Sequence, residues 1–314
     1  MTDIAADRIP GGPEVWRAHA EGHRVEQEID ESEGPISARR RFARRFFRQR
    51  AAVVGLAFLV LLVIVAVIGP WLAPYGENEL TGKLLSGPTA QHWLGTDESG
   101  RDTFSRLIFA TRIALSAAFS AVGIAVALGV IPGLLAGLLG RWVDYTVMRV
   151  VEAFLAFPPL LLALAINGAM GPGLRNAMLA IGIVYAPRFT RMVRGAVLAV
   201  KEETFIEAAR SMGCSTGKIL TAHVLPNILS PLVVQISLSL GFTLLAEAAL
   251  SFLGLGVVPP EASWGTMLSR AYLKFFQQPF LAIPPGMMIL LTVLAFNVVG
   301  DGIRDSFGRE IRRS

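Results

Sequence analysis

The sequence predicts an all-α membrane protein with six transmembrane helices and both termini on the cytoplasmic side. Two features predict it. Apolar residues arrive in blocks long enough to span a bilayer, and basic residues concentrate on alternate connections between those blocks. Over the 314 residues, 53% are hydrophobic and 17% charged, and the mean hydropathy is +0.54, a composition remote from the average soluble domain. A helix crosses the hydrocarbon core with about 20 predominantly apolar residues. Segments 51–69, 113–139, 147–169, 176–198, 228–255 and 283–299 supply six such stretches.

Taken in order, residues 1–50 read as a cytoplasmic tail, largely disordered because it is polar and lacks apolar periodicity through residue 38, and basic at its end. The first apolar run starts only after Arg50, too late for a cleaved signal peptide, so 51–72 reads as an uncleaved span. Residues 73–111 form an extracytoplasmic segment. Residues 112–303 hold the remaining spans and a polar loop at 200–226, and 304–314 form a C-terminal cytoplasmic tail. Pro132 predicts a kink in the second span, and Pro158-Pro159 another in the third. Gly129, Gly133 and Gly137 recur every four residues and so mark one helix face where a second backbone packs closely.

Orientation follows from Lys and Arg, which accumulate on the cytoplasmic side. The arginines from Arg39 to Arg50 directly precede the first span and place the N-terminus inside; Arg304, Arg309, Arg312 and Arg313 follow the last. The inner set also takes Arg141, Arg149, Arg188, Arg191, Arg194, Lys201, Arg210 and Lys218. The outer connections keep Lys83, Arg101, Arg106, Arg112, Arg175, Arg270 and Lys274. A net charge of +5 is explained by these flanks and by anionic lipid headgroups rather than by nucleic acid. The single Cys214 excludes an internal disulfide, and the four histidines have no metal-ligand spacing. No G-x-x-x-x-G-K-[ST] phosphate loop occurs, and no His falls inside a span to serve as a base, so the chain is read as no enzyme.

Three groups of residues are candidates for function. Segment 202–227, EETFIEAARSMGCSTGKILTAHVLPN, sits between two apolar runs. Glu207, Ala208 and Ala209 belong on a helix whose small side chains let another surface approach, and Gly213 permits a sharp change of direction. A second short helix is expected from Lys218 to Leu225, with Pro226 opening the next span. In the outer segment, Leu94-Gly95-Thr96-Asp97-Glu98-Ser99-Gly100-Arg101-Asp102 places two glycines around a turn, with Asp97 and Asp102 able to cap or to pair with Arg101 and Arg106. Ionisable groups within spans are costly and face a cavity or a partner. Glu247 therefore either lines a translocation pathway or bonds to a neighbouring helix. Glu152 stands one turn from Arg149 and suits an i, i+3 pair. Asn167 and Asn297 suit helix–helix hydrogen bonds, with Asn297 also a candidate for the pathway.

The segment Glu207-Ala208-Ala209 with Gly213, closed by Leu225-Pro226, resembles the E-A-A loop of ABC-importer permeases, although His223 stands where that pattern has Ile. The Leu94–Asp102 motif, the run Ala246-Glu247-Ala248-Ala249-Leu250-Ser251-Phe252-Leu253-Gly254-Leu255-Gly256, and Asn297-Val298-Val299-Gly300-Asp301-Gly302 are similar to the dipeptide, oligopeptide and nickel branch of that family. The family commonly continues with an acidic residue and Pro, where Gly308-Arg309 stand here.

The resemblance implies a five-helix permease core with the first span as an added peripheral helix. It implies a multi-pass subunit of the bacterial or archaeal cytoplasmic membrane that imports di- or oligopeptides by alternating access. Nickel chelates, glutathione and opines remain alternative solutes. The implied partners are a second permease subunit, a separate ATPase subunit or subunits that carry ATP and Mg, and an extracytoplasmic substrate-binding protein. Glu203, Glu207 and Arg210 would meet the ATPase, Ala208 and Ala209 would enter its groove, and Gly213 would set the angle. A secondary transporter or channel working without nucleotide is the runner-up from another class.

Overall fold

The structure is a computed structural model that describes residues 38–308. The expected disordered tail through residue 37, and the basic residues from 309 onward, lie outside the described residues. The chain divides into two units at Arg45 and Phe46. The basic stretch before the first apolar block lies in α1 (Ala38–Arg48). Its arginines are good helix formers.

From there on the described residues are helical, apart from connections with two isolated bridges. The helices are α2 (Arg50–Leu72), α3 (Thr103–Leu139), α4 (Arg141–Leu155), α5 (Pro159–Met170), α6 (Leu174–Lys201) and α7 (Thr204–Ser211). A short α8 (Thr216–Ile219), a π turn (Leu220–Val224), α9 (Leu225–Phe252), α10 (Trp264–Leu273) and α11 (Ile283–Gly308) follow. Among the described residues, α2, α3, the Thr216–Phe252 run and the Pro279–Phe307 run are long and apolar enough to cross a membrane; α4 and α5, taken as one broken span, make a fifth. The apolar blocks read from the sequence thus fall on helices, the third of them on two.

Two departures have local causes. The third block is not one kinked rod, because α4 and α5 meet at 90°. Pro158 and Pro159 remove two amide donors, and the residue before each proline is pushed out of the helical region. The expected second short helix from Lys218 to Leu225 is also not a separate arm. α8, the π turn and α9 run on as one stretch, Thr216–Phe252. Pro226 follows the π turn directly, and its missing N–H breaks the regular ladder at that point. The π turn takes up the change of register just before it.

The main contact is α3 along α6. A Cβ at Gly129 would stand 2.7 Å from Phe189 Cβ, and one at Gly133 would stand 2.7 Å from Thr190 O and 2.9 Å from Val193 Cβ. Gly137 likewise abuts Val197. The four-residue glycine spacing is therefore a close backbone approach. α9 packs on α11, and α11 on α2, with Gly55 facing the Ala295 carbonyl. One apolar core gathers around Phe189, Leu244, Leu250 and Trp264. A second, made of Val193, Val197, Ile206, Ala209, Ile219, Val224 and Ile228, lies under the loop that follows α6.

Candidate functional site

The loop after α6 is built on that second core. α7 turns Ile206 and Ala209 inward, at 0% and 3% exposure, and leaves Glu203, Glu207, Ala208 and Arg210 exposed. Phe205 and Met212 add apolar surface to the outer side, Met212 at 77% exposure. α7 ends in a left-handed residue, Gly213, with φ +80°. The Gly213 amide donates to Arg210 O at 2.9 Å and the Cys214 amide to Ala209 O at 3.0 Å. This paired closure satisfies carbonyls that a helix end otherwise leaves open. Ser215 then caps α8 through Lys218 N. Of the residues expected to meet a partner, Ala209 is the one turned inward. It belongs to the core beneath the loop, because i and i+3 from Ile206 put both on the same face.

The base of the loop is tied down by charge. Asp144 of α4 takes a two-point contact from Arg194 of α6, through Nε and, at 2.6 Å, through Nη2. Lys201 Nζ donates to Gly137 O at 3.0 Å and Leu138 O at 3.2 Å, where a cation suits the C-terminal end of α3. Arg149 and Glu152 make the expected i, i+3 pair at 3.8 Å on an exposed face. Arg188, grouped by sequence with the loop-side basic residues, instead lies midway along α6.

The segment between α2 and α3 is a knot of hydrogen bonds around the Gly95–Asp102 motif. Gly95 and Gly100 both take positive φ, +75° and +81°, and a Cβ at either would strike backbone oxygen, Ser86 O or Gly82 O. Asp97 accepts from the amides of Ser99 and Arg101 at 2.8 and 3.0 Å and from Arg101 Nε at 2.8 Å. Thr96 accepts from Ser86 N at 3.0 Å and donates to Lys83 O. Asp102 caps α3 through Ser105 N, takes the Ser105 hydroxyl, and meets His92 Nδ1 at 2.9 Å. Arg106 donates to Glu77 O and to Pro260 O, and Arg270 pairs with Glu98. The segment is thus joined to the connection between α9 and α10.

Glu247 is 1% exposed. Its carboxylate accepts the Ser251 hydroxyl at 2.6 Å. Asn167 is fully buried and donates to Leu255 O at 2.7 Å, a tie to a loop carbonyl rather than to a helix. Asn297 is half-buried beside Gly241. Sequence reasoning missed His92, whose partner stands ten residues on across two turns. No local spacing announces that pairing. It also missed the role of Ser263 and Thr266, which cap α10 reciprocally; the S-x-x-T spacing was the available signal.

The chain matches the family described as "Binding-protein-dependent transport system inner membrane component" over residues 129–313, and "N-terminal TM domain of oligopeptide transport permease C" over residues 37–88. The class so defined is the ABC-importer permease. Within it, the chain belongs to the binding-protein-dependent inner membrane components of the dipeptide and oligopeptide permease type. The glutathione transport system permease protein GsiD of Shigella flexneri and that of Escherichia coli O157:H7 are each 44% identical over 273 residues, 86% of this chain and 90% of the relative. The GsiD of Salmonella typhimurium is 44% identical over 275 residues. Among solved structures, the inward-facing MetNI methionine ABC transporter aligns with a TM-score of 0.55 at 20% identity, covering 65% of this chain and 97% of that one, which shows the shared fold.

Proposed function

We propose that this subunit forms half of the translocation path of an ATP-driven importer for peptides, with glutathione, itself a tripeptide, favoured by the three GsiD relatives. The observation that carries the reading is the two-sided build of α7. Its inner face is locked to α6 and α9 through Ile206 and Ala209, and its outer face offers Glu203, Glu207, Ala208 and Arg210. A lever needs both properties, a rigid root in the spans and a free contact surface.

In this reading α6 also spans, as the fourth of six. Its 28 residues reach roughly 42 Å at about 1.5 Å per residue, ample for a hydrocarbon core of about 30 Å. Both termini and the α7 loop then lie in the cytoplasm, and the Gly95–Asp102 knot lies outside, where a substrate-binding protein docks. A separate ATPase pair binds ATP and Mg, grips α7, and moves it with each closure. A second permease subunit supplies the other half of the path. Motion at α7 reaches the spans through the Val193, Val197 and Ile228 packing. Glu247, held by Ser251 within α9, and Asn297 would act by setting how α9 packs beside the path.

The test is affinity purification of the tagged subunit from native membranes in mild detergent, followed by uptake in proteoliposomes. Recovery of a second permease and an ATPase, with ATP- and binding-protein-dependent uptake of labelled glutathione or dipeptide, is the expected result. Uptake driven by an ion gradient with no ATPase recovered would instead establish a nucleotide-independent transporter.

A further inference from the structure

Arg188 lies midway along α6 and packs against two aromatic rings. It is the fifteenth residue of the 28 in α6, counting from Leu174, so roughly 20 Å of helix extends on either side at about 1.5 Å per residue. Its guanidinium carbon lies 4.7 Å from the centre of the Tyr185 ring and 5.9 Å from that of Phe242 on α9, both within cation–π reach. Among the described residues, no carboxylate pairs with it and no hydrogen bond engages it. Further along α6, Arg194 is taken by Asp144 and Lys201 by the carbonyls at the end of α3. Glu247, the acid buried in α9, is committed to Ser251.

Ring faces hold the positive charge while leaving the planar rim of guanidinium donors free, and that rim matches a carboxylate in two-point fashion. Arg188 is half-buried and Phe242 is 49% exposed, so the site opens at the surface of this subunit. A charge at this depth faces a water-filled cavity or another protein surface rather than lipid. Exposed Arg191, one turn nearer the α7 loop, lies on the same side of α6 and extends the cationic strip.

We propose that Arg188, stacked between Tyr185 and Phe242, binds a carboxylate of the transported solute midway through the translocation path. This rests on the importer reading given above. A peptide always presents such a group at its C-terminus, and glutathione presents two. The rings replace a fixed acidic partner, so the cation remains available to each passing solute and no competing carboxylate has to be displaced.

Two measurements on the assembled importer in proteoliposomes test it. The first uses Phe242→Cys in a Cys214→Ser background, with water-soluble methanethiosulfonates carrying either a sulfonate or a trimethylammonium tail. The thiol is expected to react in at least one nucleotide state. Its preference for the anionic reagent should fall about tenfold when Arg188→Gln is added, since a unit charge at this range in a partly buried site acts that strongly. No reaction in any nucleotide state would mean that a protein surface covers the site, and an unchanged preference would mean that Arg188 attracts no anion; either overturns the proposal.

The second measurement is initial uptake of labelled glutathione at matched amounts of assembled complex. Arg188→Gln should lower it about tenfold or more, and Arg188→Lys, which keeps a point charge but loses the fork, should recover part. Uptake by Arg188→Gln equal to wild type overturns the proposal. If wild type itself takes up no glutathione, the substrate reading fails, and the reagent preference still decides the role of Arg188.

Discussion

Arg194 of α6 and Asp144 of α4 meet in a two-point ion pair, with Nη2 donating to Oδ2 at 2.6 Å and Nε donating to Oδ1. The side chains are only 29% and 23% exposed, so water competes weakly for them. The pair pins the first turn of α4, just past the turn at Gly140, against the helix that leads into the α7 loop. Asp144→Ala should lower stability by about 2 kcal/mol, the scale of a lost hydrogen bond to a charged group, read as a fall in thermal unfolding midpoint in detergent. The charge exchange Asp144→Arg with Arg194→Asp should recover more than half of the loss. A double variant no better than the sum of the two singles would show that the pair is not coupled.

Asp102 is the centre of the knot before α3. One carboxylate receives the Ser105 amide, the Ser105 hydroxyl and His92 Nδ1. Replacing it with Ala removes a helix cap, a loss of about 0.5–2 kcal/mol, and leaves two further buried groups without their partner. Asp102→Ala should speed proteolysis within the Ala73–Arg101 stretch several-fold. Asp102→Asn keeps a capping oxygen and should stay much closer to wild type. Equal protection in all three proteins would place the order of this segment elsewhere, in the Arg106 and Glu77 contacts.

Much of this architecture was legible because hydrophobic blocks and prolines act locally. The 51–69 block became α2 and the 113–139 block the body of α3, and Pro158-Pro159 announced a bend. The sequence does not carry the size of that bend, 90°, because an angle depends on what the two arms pack against. The loop motif was visible through Gly213 and Pro226, but its inner and outer faces were not. Ala208 and Ala209 are identical side chains in adjacent positions, and only the neighbours Ile206, Val193 and Ile228 make one of them core. His92 and Asp102 were likewise separable only in three dimensions. Arg188 looked like a topology signal, since composition reveals charge without depth.

Ala208 and Ala209 therefore predict opposite phenotypes for the same substitution. Ala208→Trp adds bulk to an exposed position, so the purified subunit should keep its stability within about 0.5 kcal/mol. The larger ring should weaken retention of the ATPase in pull-downs. Ala209→Trp forces a ring into a filled core at 3% exposure and should destabilise the loop by about 1–3 kcal/mol or more, seen as faster hydrogen exchange across 204–219. If Ala208→Trp retains the ATPase and transport at wild-type levels, the exposed face of α7 is not the contact surface.

Gly213 separates backbone from packing in the same loop. A Cβ placed there would meet nothing within 4 Å, so any penalty comes from φ +80° and not from a clash. Asn enters the left-handed region readily, whereas a β-branched residue does so only under strain. Gly213→Asn should thus keep close to wild-type transport per ATP hydrolysed. Gly213→Val should pay about 1–3 kcal/mol of strain, open the Cys214 to Ala209 hydrogen bond, and swing α7 away from the line of α8. The measurement is the ratio of uptake to ATP hydrolysis in proteoliposomes, which should drop for Val and hold for Asn. Were both variants to lose coupling equally, the contact would depend on the bare surface of the glycine, which would then touch the ATPase directly. Were neither to lose it, the angle set at Gly213 would have no part in transmitting motion.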